Sequence, residues 1–137
     1  MAYMPYANSE QVRKTVDKFT IEFYERENGD IPAEEFLLSL DKKMRAKILG
    51  IMGILQEKEN QLREPYSKHL DEGIFEIRGK VGTDISRVLY FFYYEGKIVF
   101  TNGFVKKTQK TPKSEIEKAK MYRNNYLERR CENNEKI

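Results

Sequence analysis

Two arginines and a lysine cluster are the residues of this chain best suited to chemistry. Arg78 follows Glu76 and precedes Lys80 on one face of an alternating stretch, and Arg87 interrupts an apolar one. Lysines then gather at Lys106, Lys107, Lys110, Lys113 and Lys118, with acids close by only at Glu115 and Glu117. A guanidinium offers a planar fork of donors matched to phosphate oxygens, and lysine adds a mobile point charge. Such a set could hold a polyanion backbone, which needs fixed positive charge more than any particular side chain. It could also stabilise the added negative charge of a pentacoordinate phosphorane. A charge inside an apolar strand must be paired or must point into a cleft. If the strands are neighbours, Arg78, Arg87 and the lysines converge on one concave face. Alternatively, Arg87 pairs with Glu76 or Asp84 and ties the strands together.

Other chemistries find little support. There is one histidine, His69, and one cysteine, Cys131, which leaves no metal-ligand constellation and no nucleophile–base pair. His69 falls in a stretch read as loop, where a lone histidine is usually solvated. Gly79 and Gly82 lack the context of a phosphate-binding glycine loop. No metal or cofactor is expected.

The 137 residues suit one domain, and the 39% hydrophobic and 34% charged composition suits a soluble, folded chain. No apolar run approaches membrane-spanning length, and Met1 to Tyr6 has no signal-peptide character, so a cytoplasmic protein is expected. The net charge of +3 hides an asymmetry. Residues 1–104 carry 15 basic against 17 acidic side chains, whereas residues 105–130 carry nine against three. The positive field is concentrated late in the chain, which points to a polyanionic partner or to a solvated lysine-rich helix face.

These residues need elements to position them. Residues 1–18 read as an arm or a short helix from Ser9, with Val12 and Val16 on one side. Phe19–Tyr24 has the period of a half-buried strand. Pro32 opens a helix with Glu34 and Glu35 in its first turn and Phe36, Leu37 and Leu40 on its apolar face. Asp41 can cap a second helix, in which Met44, Ile48, Ile51 and Leu55 recur at helical spacing. Its Gly50 and Gly53 would be explained by close packing on a sheet. Residues 57–70 read as a polar loop.

Three strands are expected next, at residues 74–81, 85–94 and 97–105, with a tight turn at Glu95-Gly96. Of the aromatic run Tyr90, Phe91, Phe92, Tyr93 and Tyr94, most should be core; Tyr93 and Tyr94 are the candidates for base stacking on an open face. Thr111 as N-cap and Pro112 begin a last helix, with Ile116, Ala119, Tyr122, Tyr126 and Leu127 on its apolar side. The order is β-α-α-β-β-β-α, an α+β domain over residues 19–127 with a polar tail at 128–137.

The strings Gly73-Ile-Phe-Glu-Ile-Arg78, Asp84-Ile-Ser-Arg-Val-Leu-Tyr90 and Gly103-Phe-Val-Lys-Lys-Thr-Gln-Lys-Thr-Pro112 closely resemble the phage-derived, HigB-like branch of the RelE/HigB toxins. The resemblance runs from about Phe19 to Leu127. It implies a small, mainly antiparallel sheet packed on a helical pair, with a C-terminal helix. It also implies the toxin of a type II toxin–antitoxin system, a metal-independent endoribonuclease that cuts messenger RNA on the ribosome through attack of the ribose 2′-hydroxyl on the adjacent phosphate. A separately encoded helix-turn-helix antitoxin would be its partner. By position, Arg78 and Arg87 match basic cleft residues, and Lys106 or Lys107 matches the basic residue after the last strand. Arg78 and Arg87 would steady the phosphorane, Lys107 would position the backbone or assist the leaving oxygen, and Lys80, Lys106, Lys110 and Lys113 would hold RNA. Where the RelE branch carries a lysine, this chain has Glu76, the nearest candidate base, which cations around it would weaken. Two other readings share the fold: a ParE-like toxin that inhibits gyrase, and a non-catalytic RNA-binding remnant.

Overall fold

The computed structural model describes residues 19–57, 66–105 and 110–135. The arm expected at residues 1–18 and the lysines Lys106 and Lys107 lie outside the described residues. In chain order the elements are β1 (Thr20–Phe23), α1 (Pro32–Ser39), α2 (Lys42–Glu57), β2 (Ser67–Asp71), β3 (Ile74–Val81), β4 (Asp84–Tyr93), β5 (Lys97–Val105) and α3 (Lys113–Glu135). The strands form one sheet in the order β1-β5-β4-β3-β2, antiparallel except for β1 beside β5. The α+β class expected from the sequence holds, with one strand more than expected.

That extra strand is β2, which lies in the stretch read as a polar loop and carries His69. It pairs with β3 through a two-residue turn at Glu72 and Gly73, both with positive φ. Glycine supplies such a turn at little cost, so Asp71-Glu-Gly-Ile74 was the hairpin signal. Glu95 (φ 64°) and Gly96 (φ 69°) form the expected turn between β4 and β5. Near its end α3 continues to Glu135, through most of the segment read as a tail.

Alternation along the strands gives the sheet two apolar faces. On one, Ile77, Val88, Tyr90, Ile98 and Phe100 pack with Leu37 of α1 and Met44, Ile48, Ile51 and Leu55 of α2. On the other, Ile74, Leu89, Phe91 and Val99 meet Ala119, Tyr122 and Tyr126 of α3. Asp41 Oδ1 accepts the Met44 N–H at 2.8 Å, so the expected cap starts α2. Arg45 donates to the carbonyls of Leu37, Leu38 and Leu40, closing the end of α1.

The glycines in close contact are not those expected. Gly50 and Gly53 are exposed, and a Cβ on either would meet nothing within 4 Å. The tight approaches are at Gly79, where a Cβ would lie 2.6 Å from Ile48 Cδ1, and at Gly103, where it would overlap the Phe36 ring. The helices thus seat on glycines of the strands, not the reverse. Among the described residues no helix is long and apolar enough to cross a membrane.

Candidate nucleic-acid interface

The β3–β4 register sets Arg78 directly opposite Arg87. Two like charges across a sheet repel, and Glu76, on the same face two residues from Arg78, relieves them. Arg78 Nε donates to Glu76 Oε2 at 2.6 Å, and Arg87 Nη1 lies 3.8 Å from Glu76 Oε1. The third partner is Thr111. Its hydroxyl donates to Glu76 Oε1 and accepts from Arg87 Nη1 at 3.1 Å.

Thr111 was expected to cap α3, but its oxygen is spent on this cluster; the Pro112 carbonyl instead accepts the Ile116 N–H. What brings Thr111 here is visible one strand away. A bulge in the β4–β5 pairing between Val88 and Tyr90 falls opposite Thr101 and Asn102. From there Asn102 Nδ2 reaches the carbonyl and Oε1 of Glu115 in the first turn of α3. That contact fixes where the start of α3 crosses the sheet.

Exposure separates the two arginines. The Arg78 side chain is 23% exposed, Arg87 only 2%, and Glu76 not at all. Burial holds the Arg87 guanidinium below its ordinary pKa; Glu76 opposes this and Arg78 adds to it. An arginine open to a cleft was expected at both positions, and only Arg78 has that placement. Arg87 instead makes the strand-tying contact with Glu76 that was the alternative reading. Both Glu76 oxygens are occupied and buried, the position of a counter-ion rather than of an accessible base.

Beside the cluster lies a groove of about 450 Å³ lined by Lys47, Tyr66, Arg78, Lys80, Gly82 and Ile85. Arg78 therefore serves both, held by Glu76 on one side and facing the groove on the other. Lys47, from α2, and Tyr66, just before β2, were missed in the sequence because they lie far along the chain from the basic cluster. Lys110 and Lys113 are exposed and flank Thr111 in the chain. His69 is exposed on β2, edge-on to Phe75, with Nε2 accepting the Gly73 N–H at 3.1 Å. It serves the hairpin. Of the aromatic run, Tyr90 and Phe91 are core, Tyr94 is 79% exposed and Phe92 is 37% exposed.

A family model for phage-derived Gp49-like proteins matches residues 35–123, which span the helical pair, the four later strands and the first half of α3. The chain belongs to the Gp49-like family. The phage-derived branch indicated by the strings around Arg78, Arg87 and Gly103 is thus the family found. The Glu76–Arg78–Arg87 cluster and the groove of this Gp49-like chain both fall within the matched segment. No curated protein matches the sequence. Among solved structures, the archaeal RelE–RelB complex from Pyrococcus horikoshii OT3 is similar over 68% of this chain and 99% of that one, at 15% identity and a TM-score of 0.45.

Proposed function

We propose that this Gp49-like chain is the toxin of a type II toxin–antitoxin pair and cuts messenger RNA on the ribosome. The observation that carries the reading is the carboxylate-held arginine pair beside a groove lined by Lys47, Arg78 and Lys80. A phosphodiester laid against Arg78 meets a guanidinium already oriented through its Nε, with little reorganisation left for the reaction to supply. The 2′-hydroxyl oxygen attacks the adjacent phosphorus and gives its proton to solvent, and the P–O5′ bond breaks with O5′ taking a proton from solvent. The products are a 2′,3′-cyclic phosphate on the upstream fragment and a 5′-hydroxyl on the downstream one. Arg78 steadies the equatorial oxygens of the phosphorane. Arg87 acts through Glu76, as a positioning residue, by keeping that carboxylate in place under Arg78. Lys80, Lys110 and Lys113 hold the RNA backbone, together with Lys106 and Lys107 by the resemblance. A helix-turn-helix antitoxin that covers this positive surface would silence the toxin in the cytoplasm.

Inducible expression in bacteria, with primer extension of messages and a parallel gyrase supercoiling assay, tests the reading. Growth arrest with message cleavage, both lost in Arg78→Ala, is expected. Intact messages with blocked supercoiling would replace it with a gyrase inhibitor of the ParE type.

A further inference from the structure

We infer that the groove beyond Arg78 is a subsite for a nucleotide flanking the scissile phosphate, with Tyr66 as its stacking platform and Lys47 and Lys80 as its phosphate contacts. The inference rests on the phosphodiester reading above and extends it to Tyr66, which that reading does not use. The groove volume of about 450 Å³ lies within the range of small-molecule sites, about 300–1,000 Å³. Its lining has the parts that single-stranded nucleic acid requires: cations to track the backbone and an aromatic face for a base. Tyr66 is 45% exposed, yet its backbone is anchored, since its carbonyl accepts the Arg78 N–H at 2.9 Å. A ring carried on fixed backbone loses little freedom on stacking. Ile85 adds an apolar wall, and Gly82 leaves open space beside it.

The charge is equally specific. Among the described residues no ion pair is seen for Lys47 or Lys80; Asp84, exposed between Gly82 and Ile85, pairs with neither, and Glu76 is buried and already shared by two arginines. The described lining therefore carries Lys47, Arg78 and Lys80 and no carboxylate around a stacking face. An acidic peptide would satisfy the lysines but leave the ring without a partner, so a nucleotide fits the lining better.

The test is binding of a short 2′-O-methylated single-stranded RNA, which has no free 2′-hydroxyl and stays uncut, to the full chain by fluorescence anisotropy across a salt series. Tyr66→Ala should weaken binding about tenfold with an unchanged salt slope, because stacking is lost and no phosphate contact is. Tyr66→Phe should bind as the parent does. Lys47→Ala should reduce the salt slope by about 0.7, one phosphate contact on a single strand. Equal affinity of Tyr66→Ala and parent, equal losses in Tyr66→Phe and Tyr66→Ala, absence of binding by the parent, or a polyaspartate peptide competing as well as unlabelled RNA would each overturn the subsite. Since the strand cannot be cut, this outcome is separate from whether messages are cleaved in cells.

Discussion

Glu76 holds the cationic pair together, because it is buried and engages Arg78, Arg87 and Thr111 at once. Glu76→Gln should destabilise the fold by about 3–5 kcal/mol in urea titration, since it leaves two arginines facing each other in a largely dry site. A Glu76→Leu/Arg87→Met double variant should recover most of that loss, because an apolar pair of similar volume avoids the desolvation cost. Tyr90 gives a second test at this scale. Its hydroxyl shares a 2.8 Å hydrogen bond with Ser67, and burial pushes its pKa up to about 12, with the Ser67 bond opposing. The folded state therefore keeps a proton that the unfolded chain releases from its ordinary value of about 10. The stability this represents is fully present below pH of about 10 and falls as pH rises toward about 12, by at most about 1.4 kcal/mol per unit. Tyr90→Phe should flatten that part of the alkaline stability profile. Residue types alone indicated Arg78, Arg87 and Glu76, since charges in strand patterns are conspicuous. Their division into one exposed arginine, one buried arginine and a counter-ion depends on cross-strand register and on Thr111, which lies 24 residues from Arg87.

At the scale of elements, the glycines divide by what they face. Gly103→Ala should cost about 1–3 kcal/mol by forcing the Phe36 ring of α1 off β5. Gly50→Ala, on the open side of α2, should instead stabilise by up to about 1 kcal/mol, as helix propensity predicts when nothing else changes. Chemical denaturation of the two variants checks both signs. The sequence placed β1, both early helices, the three later strands and α3 correctly because their apolar periods are long or their caps distinctive, as with Asp41. It missed β2, whose Ser67-Lys-His-Leu-Asp71 has only Leu70 as an aliphatic residue and gains its conformation from pairing with β3. It likewise misplaced the tight glycines, since close approach is a property of two elements and glycine appears the same in either setting. Tyr66 and Lys47 stayed hidden for a similar reason: only the folded chain brings the first half of α2 and the start of β2 to the side of β3.

For the whole molecule, the proposed function joins part of the late positive charge, at the start of α3, to cations from the middle of the chain. Lys110 and Lys113 arrive with Thr111 at the start of α3, while Lys47, Arg78 and Lys80 arrive from α2 and β3. On the proposed function such a surface would hold a phosphate backbone, with Arg78 placed for cleavage rather than binding alone. The decisive measurement is cleavage, in a translating extract, of a message carrying a single 2′-deoxynucleotide on the 5′ side of the mapped cut. The unmodified message should be cut to a 2′,3′-cyclic phosphate end, the deoxy substitution should abolish this cut, and Arg78→Ala should do the same to the unmodified message. Equal cutting of the deoxy-substituted message would contradict attack by the 2′-hydroxyl.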